Sequence, residues 1–225
     1  MLQIKNLVKT FESNTVLNKI SFNVNDRELV CIVGESGCGK SVLLKCISKY
    51  LDKDSGKVML GYSDTLEIGT LFQSFALLPH KTVLENIVLP LEVRGLSTAK
   101  AMEVVELVGL LGKQDLYPSK LLSSQQQKVA IARALVTDPD IWLLDEPFSS
   151  ILDSESRTQM QDIFLKLNKT TLFVTHDFDE ALSIADKIII MKDGSIEQFD
   201  TPDNILSNPA NEYVHRIIVN RRPDR

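Results

Sequence analysis

The chain has 225 residues, of which 44% are hydrophobic, and a formal net charge of −5. This length favours one domain, or one domain with a large insertion, and the acidic balance argues against a general nucleic-acid binder, which would carry a basic stripe. No apolar run approaches the ~20 residues of a membrane-spanning helix, and the first residues lack the layout of a signal peptide, so we expect a cytoplasmic protein.

The N-terminal part of the chain has the pattern of strands separated by turns. Leu2–Leu7 is one predicted strand, and Phe22–Val24 alternates apolar and polar residues as a half-buried strand does. Asn25 and Asp26 form a turn signal. The apolar run Leu29–Val33 follows, and we expect it to be a strand of the core.

A glycine-rich segment comes directly after that strand. Its sequence fits the phosphate-binding pattern G-x-x-x-x-G-K-[ST] at every fixed position, and a predicted helix, Ser41–Lys49, follows it. Glycines let the backbone wrap around a phosphate, so that N–H groups and the helix N-terminus face the anion. Lys40 can reach the β- and γ-phosphates, and the Ser41 hydroxyl can ligate Mg²⁺. The predicted nucleotide-binding residues are Gly34, Glu35, Ser36, Gly37, Cys38, Gly39, Lys40 and Ser41. The alternative is a glycine-rich turn that precedes a helix by chance, and the strand–loop–helix context disfavours it.

The chain has three cysteines, Cys31, Cys38 and Cys46. Their odd number and the absence of a C-x-x-C pair argue against a disulfide framework or a structural zinc site. Cys38 lies in the glycine-rich segment near a helix N-terminus, a position that can lower the pKa of a thiol. We hypothesise that alkylation of Cys38 blocks nucleotide binding.

The middle of the chain changes from strands to helices. Lys57–Leu60 and Ile68–Phe72 are predicted strands. From Thr82 on the pattern is helical, and Ser97 or Thr98 is the predicted N-cap of a helix. The apolar side chains of that helix recur every three residues, at Met102, Val105 and Val108. A further helix is predicted over Ser123–Val136 and ends before Asp138 and Pro139.

A second group of candidate functional residues follows a buried strand. Ile141–Leu144 is a continuous apolar run, typical of a parallel strand covered on both faces. Asp145 and Glu146 come next, at the carboxyl end of that strand, where open α/β sheets bind ligands. Asp145 suits a role in binding Mg²⁺, and Glu146 can polarise the water that attacks a γ-phosphate. The alternative is a pair of acids that caps a helix after a core strand.

The C-terminal third of the chain returns to alternating helices and strands. Ser154–Asn168 has the spacing of an amphipathic helix. Leu172–Val174 and Ile188–Met191 are predicted strands. Asp193 and Gly194 predict a hairpin turn into Ser195–Phe199, and Thr201 with Pro202 predicts the start of the C-terminal helices.

Together these motifs resemble the nucleotide-binding subunits of ABC transporters, over nearly the whole chain. Gln73 is similar to the family's Q-loop glutamine, which implies contact with Mg²⁺. His176, in the segment Phe173–Asp177, is similar to the switch histidine that contacts the γ-phosphate, although by itself it would more often be an ordinary strand-end histidine. Phe11 lies where the family places an aromatic ring against adenine, with Val16 close by. Phe11 taken alone is equally compatible with a hydrophobic residue in a hairpin.

The resemblance implies an α/β P-loop NTPase fold with a RecA-like core, an N-terminal antiparallel β-subdomain and a helical insert. We therefore expect a single ABC ATPase domain over residues 1–225. The core and β-subdomain would comprise 1–73 and 137–200, and the helical subdomain 74–136. Residues 201–225 would form the C-terminal helices.

Two segments depart from the family pattern. The signature L-S-G-G-Q aligns with Leu121, Leu122, Ser123, Ser124 and Gln125, so that leucine replaces the phosphate-donating serine and serines replace both glycines. A register shifted by one residue would restore the serine but fits the flanking spacing less well. The D-loop carries one extra residue before Asp153. Both segments act across a dimer interface in the family, so we expect slow hydrolysis or an asymmetric pair.

The resemblance also implies a function and a set of partners. We expect an ATPase with ATP and Mg²⁺ as cofactors, peripheral on the inner face of the cell membrane and bound to transmembrane permease subunits near residues 77–92. A second ATP-binding subunit and a solute-binding protein are further expected partners, and nucleic acid is not. Import by a bacterial system for nitrate, sulfonate or osmoprotectant-type solutes is the predicted direction. The alternatives are a nucleotide-gated regulatory clamp with little hydrolysis, and an ABC protein acting on ribosomes or DNA.

Overall fold

The computed structural model describes residues 2–61, 66–72, 75–149 and 154–219. The chain forms two compact units. The first comprises Met1–Ile68, Ile141–Glu146 and Asn168–Arg225, and the second comprises Gly69–Asp140 and Pro147–Leu167. The second unit thus includes a segment C-terminal to the predicted insert 74–136.

The described residues form strands and helices in the following order. The strands are β1 (Leu2–Phe11), β2 (Asn14–Val24), β3 (Leu29–Gly34), β4 (Ser55–Leu60), β5 (Ile68–Leu71), β6 (Ile141–Asp145), β7 (Thr170–Val174), β8 (Lys187–Lys192) and β9 (Ser195–Asp200). The helices are α1 (Lys40–Ile47), α2 (Val83–Val93), α3 (Ala101–Leu107), α4 (Ser123–Leu135), α5 (Ser154–Leu167), α6 (Phe178–Ile184), α7 (Pro202–Ser207) and α8 (Glu212–Val219). Among these helices, none is long and apolar enough to cross a membrane.

Two sheets build the first unit. The antiparallel sheet has the order β2-β1-β4, with Leu2 opposite both Val24 and Leu60. Strand β1 continues to Phe11, beyond the predicted end at Leu7. These observations agree with the antiparallel N-terminal subdomain that the sequence predicts.

The second sheet of this unit has the order β6-β7-β3-β8-β9. Its first four strands are parallel, and β9 runs antiparallel to β8 through the predicted turn at Asp193 and Gly194. Every residue of β3, β6 and β7 is buried, because their apolar runs are covered on both faces. The parallel arrangement places the carboxyl ends of β3, β6 and β7 at one edge, where the predicted site residues follow.

Helices dominate the second unit, and its first helix has a strong start signal. The Thr82 side chain accepts from the Glu85 N–H, and the Glu85 carboxylate accepts from the Thr82 N–H, which forms a capping box for α2.

The predicted cap of α3 is wrong. Its N-cap is Lys100, because the Ser97 hydroxyl instead accepts from the Ala99 N–H before the helix begins.

A buried asparagine organises the chain before α2. Asn86 is 0% exposed. Its amide donates to the carbonyls of Leu78, Lys81 and Thr82, and its oxygen accepts from the Leu78 N–H at 2.8 Å. One side chain therefore bonds to four backbone groups of this loop. Two of these groups, the Leu78 and Thr82 carbonyls, also accept from backbone N–H groups.

Candidate active site

The phosphate loop connects β3 to α1, as the sequence predicts. Gly39 precedes α1 with a φ of 106°, and a Cβ atom there would lie 2.7 Å from the Val16 carbonyl oxygen. Gly37 has a φ of 83°, with nothing within 4 Å of the position of its missing Cβ. Glycine is therefore required at residue 39 for both its backbone conformation and its packing, and at residue 37 for its conformation.

The lysine of the loop is held by the loop itself. Lys40 is 7% exposed. Its ammonium donates to the carbonyl oxygens of Gly34 at 2.7 Å and Glu35 at 2.8 Å. These two bonds fix a buried positive charge within the segment that the pattern assigns to phosphate binding.

The turn between β8 and β9 supports the loop from outside. The Gly194 N–H donates to the Cys38 carbonyl at 3.1 Å, and the Gly194 carbonyl accepts from the Asn18 N–H at 2.8 Å. A Cβ at residue 194 would lie 2.4 Å from the Val16 carbonyl oxygen. The sequence predicted only a hairpin here. Its contact with the loop joins residues far apart in the chain, and no local pattern reports such a contact.

The pKa of Cys38 differs from the sequence expectation. Burial raises the pKa of this thiol, and the nearby Lys40 opposes that rise only in part. The Cys38 sulfur lies 3.8 Å from the Lys40 ammonium. The predicted lowering is therefore wrong, because removal of the thiolate from water outweighs the neighbouring positive charge.

Asp145 and Ser41 meet at the end of β6. Asp145 is 3% exposed and hydrogen-bonded to the Ser41 side chain. Burial raises the pKa of this carboxyl, the bond to Ser41 opposes the rise, and the charge of Glu146 adds to it. A buried carboxylate beside a hydroxyl provides the hard oxygen ligands that Mg²⁺ prefers, so these residues fit a magnesium ion.

Glu146 and His176 form a close pair at the same edge of the sheet. The carboxylate Oε1 lies 3.3 Å from the imidazole Nδ1. Glu146 has a φ of 49°, uncommon for this residue type, and its N–H donates to the Val174 carbonyl at 2.9 Å. Backbone held in a sparsely populated region is frequent at functional sites. In this geometry a carboxylate that can act as a base, Glu146, lies beside an imidazole that can form hydrogen bonds, His176.

His176 also shares a cleft with the phosphate loop. The cleft measures about 620 Å³, and its lining includes His176, Gly34, Glu35 and Ser36. Tyr213 of α8 lines it as well and donates to the Met191 carbonyl at 3.2 Å. The sequence analysis missed Tyr213, because an aromatic residue in an amphipathic helix gives no local signal of such a contact.

Phe11 and Val16 lie in the antiparallel sheet. Phe11 ends β1 with 43% of its surface exposed, and the Lys9 ammonium lies 5.2 Å from the centre of its ring. Val16 backs the phosphate loop through its carbonyl oxygen, against Gly39. The exposed ring of Phe11 is available for stacking, and its contact with adenine stays a prediction.

The signature segment opens helix α4 in the second unit. Leu121 is buried, whereas Leu122 is the N-cap of α4 and is 70% exposed. The Gln125 side chain accepts from the Leu122 N–H at 3.1 Å. The leucine side chain has no acceptor to offer in return, so it cannot cap the first N–H groups of the helix.

Gln126, which the sequence analysis did not single out, bonds to the backbone that leads into the signature segment. Its amide donates to the carbonyls of Pro118 and Leu121 at 3.0 and 3.3 Å.

The first unit thus brings together the phosphate loop, Asp145, Glu146 and His176. The predicted Q-loop residue Gln73 and the D-loop residue Asp153 lie outside the described residues.

Comparisons with known proteins show the family of this chain. The family model described as ABC transporter matches residues 17–149. The trimethylamine N-oxide transport system ATP-binding protein TmoW of Pelagibacter ubique is 51% identical, over 93% of this chain and 68% of its own length. The glycine betaine transport ATP-binding protein OpuAA of Bacillus subtilis is 42% identical, over 95% of this chain and 56% of its own length.

Solved structures extend the comparison. A dimeric ATP-binding cassette in a post-hydrolysis state, bound to ADP and Pi, aligns with a TM-score of 0.83 and 33% identity, over 90% of this chain and 99% of that one. The chain belongs to the ABC transporter family, and its fold is that of the ATP-binding cassette. The predicted family and fold class are confirmed. The chain spans between about half and two thirds of the length of the curated relatives described above.

Proposed function

We propose that this chain is the ATP-hydrolysing subunit that powers a bacterial ABC importer. The observation that carries the proposal is the pair of Glu146 and His176, 3.3 Å apart, at the sheet edge that also bears the phosphate loop. In this arrangement Glu146 can act as a base and His176 can contact a phosphate. The pair therefore supports ATP hydrolysis rather than ATP binding alone.

Each residue of the first unit has a proposed role. The backbone of the loop and Lys40 bind the phosphates, and Phe11 with Val16 lies against the adenine. Glu146 positions and activates the attacking water. His176 donates to the γ-phosphate as negative charge develops there.

Ser41 and Asp145 would hold Mg²⁺, with Gln73 as a third contact by resemblance. The ion, when bound, neutralises charge on the phosphate oxygens.

The remaining parts of the site come from other chains. We propose that two ATP-binding subunits pair, with the signature segment Leu121–Gln125 and Asp153 of each facing the other's nucleotide. The pair would bind permease subunits on the cytoplasmic face of the membrane, near residues 77–92. A solute-binding protein would deliver the solute. Because Leu122 has no hydroxyl to donate, we expect slow hydrolysis or a pair in which the other subunit differs.

The relatives support a solute class. TmoW is named for trimethylamine N-oxide and OpuAA for glycine betaine, which are both small dipolar compounds with a trimethylated, positively charged nitrogen. We propose a solute of this class for the transporter that contains this chain.

The decisive experiment measures ATP hydrolysis and solute uptake together. The purified chain should bind ATP and hydrolyse it in the presence of Mg²⁺, faster when its permease is present. Deletion of the gene should abolish uptake of labelled trimethylamine N-oxide or glycine betaine. Binding without hydrolysis, with or without the permease, would instead support the regulatory clamp.

A further inference from the structure

We infer that Thr175 and Glu180 are positioning residues that hold His176 in place beside Glu146. The inference rests on the proposed function, in which His176 contacts the γ-phosphate. It concerns a partly buried hydrogen-bond network next to the histidine, which no sequence motif identified.

The first observation is the environment of His176 itself. Its side chain is 69% exposed and lines the cleft that also contains residues of the phosphate loop. An exposed side chain is only weakly held by packing, and ordering it costs rotamer entropy. The position of its imidazole therefore depends strongly on the backbone at residues 175–177.

Thr175 fixes that backbone from inside. It follows β7, is 2% exposed, and its N–H donates to the Ile32 carbonyl at 3.2 Å. Its hydroxyl accepts from the Asp177 N–H at 3.0 Å. The same hydroxyl donates to Glu180 Oε2 at 2.6 Å. One buried hydroxyl thus bridges the residue after the histidine and the helix that follows it.

Glu180 anchors this bridge on α6. Its N–H donates to the Asp177 side chain at 3.1 Å, and Asp177 is the N-cap of the helix. The neighbouring Ala181 is 0% exposed and the first residue of the helix, Phe178, is 6% exposed, so α6 is packed in place. A hydrogen bond to a carboxylate is shorter and stronger than one between neutral groups. Thr175 is therefore tied to a fixed element by the strongest type of bond available to it.

The catalytic consequence follows from distance. A misplacement of about 1 Å can lower a rate about 10²-fold, even when the mutated residue does not touch the reacting atoms. Loss of the Thr175 hydroxyl should release the backbone on the Asp177 side of His176, while the phosphate loop keeps its own bonds. We expect kcat to fall and the affinity for ATP to stay the same.

The experiment compares Thr175→Val, which keeps the side-chain shape without the hydroxyl, with Thr175→Ser, which keeps the hydroxyl. Thr175→Val should lower kcat about 10- to 100-fold with KM and the Kd of ATP within about two-fold, and Thr175→Ser should restore most of kcat. Glu180→Gln, which keeps an amide oxygen as acceptor, should be milder than Glu180→Ala. Asp203→Asn, an exposed acid in the first turn of α7, is the matched control and should behave as the parent chain.

A second readout does not depend on activity. The chain has three histidines, His80, His176 and His215, so spectra of ¹⁵N-labelled histidine resolve each imidazole. Thr175→Val and Glu180→Ala should shift the His176 signals and leave those of His80 and His215 unchanged. Unchanged His176 signals in both variants would overturn the inference.

The dependence on His176 separates this inference from the proposed function. In a His176→Ala background, Thr175→Val should lower kcat no further, because both changes act through one imidazole. An equal further loss would show that Thr175 acts by another route and would overturn the inference. If His176→Ala alone left kcat unchanged, the proposed role of His176 would fail first.

Discussion

The Glu146 carboxylate lies 3.3 Å from the His176 imidazole, although the two residues follow different strands. Strands β6 and β7 are parallel neighbours, so their carboxyl ends bring the two side chains together.

Glu146→Gln keeps the size of the side chain and removes the base. We expect hydrolysis to fall about 10²- to 10⁴-fold while the Kd of ATP stays within a few-fold of the parent value. Phosphate release and nucleotide binding, measured on the same preparation, test this, with the exposed Glu103→Gln as control. Equal turnover in both variants would exclude Glu146 as the base.

Substitution of Gly39 should cost more stability than substitution of Gly37. Both residues have positive φ, so alanine strains either position by about 1–2 kcal/mol. Only at residue 39 would the new Cβ also contact a fixed backbone oxygen, that of Val16. We expect Gly39→Ala to lower the free energy of unfolding by about 1–3 kcal/mol more than Gly37→Ala. Urea denaturation of the two variants measures the difference, and equal losses would contradict the proposed contact.

Leu122→Ser should change two properties at once. A serine at the N-cap of α4 can accept from a free N–H of the first turn, which should stabilise the chain by about 1 kcal/mol. If the signature segment donates to a partner's nucleotide, the restored hydroxyl should also raise turnover up to about 10²-fold. Leu111→Ser, at another exposed leucine, should do neither. A gain in stability with unchanged turnover would show that Leu122 does not limit hydrolysis.

Glu28 should make stability depend on pH in the acidic range. Burial works against its charge, but bonds from the Asn25 N–H at 2.6 Å and the Lys187 ammonium at 2.9 Å lower its pKa overall. The folded chain therefore binds this proton less readily than the unfolded chain, so the stabilisation is present above the unfolded pKa of about 4.3. It is lost as the pH falls through the lower, folded value.

Glu28→Gln tests this assignment. At pH 7 it should cost about 1–3 kcal/mol, the loss typical of a hydrogen bond to a charged group. The difference from the parent chain should shrink as the pH falls below about 4. Denaturation at pH 7 and at acidic pH measures it, with the exposed Glu106→Gln as control. A cost that is the same at both pH values would contradict the ionic contribution.

Asn86→Leu should destabilise the second unit. Leucine has a similar volume but satisfies none of the four backbone groups that Asn86 binds, including the Leu78 N–H. The Leu78 and Thr82 carbonyls keep a backbone donor, and the other two groups lose a partner. Such a loss costs about 1–3 kcal/mol per group, so we expect a loss of about 2–4 kcal/mol. Urea denaturation measures the loss against Asn23→Leu on an exposed strand position. If both variants lost the same small amount, the Asn86 bonds would not stabilise the loop.

Much of the core could be predicted from local patterns. The continuous apolar runs Leu29–Val33 and Ile141–Leu144 lie in buried parallel strands, because such strands need apolar residues on both faces. The hairpin turn at Asp193 and Gly194 and the cap at Thr201 also agree with prediction. In each case the physical cause lies within a few residues of the signal.

The wrong prediction for Cys38 and the residues that the sequence analysis missed have a common physical cause. The sequence places Cys38 near a helix N-terminus but does not show that the thiol is buried, and burial determines its pKa. The sequence does not show that the Thr175 hydroxyl bonds to Glu180, because that bond forms only when α6 packs beside it. Tyr213 bonds to a carbonyl of β8 only after α8 has packed. These properties arise from tertiary contacts that local periodicity does not encode.

The Gly194 turn gives the molecule a natural reporter. Its N–H bonds to Cys38 inside the phosphate loop, and its carbonyl bonds to Asn18 of the antiparallel sheet. Exchange of the Gly194 amide hydrogen with solvent therefore requires the hairpin to separate from the loop. A ligand that binds only the closed loop lowers the population of that open state in proportion to its occupancy. The exchange rate of the Gly194 amide, which is far from the phosphate loop in sequence, thus reports whether a ligand occupies the loop.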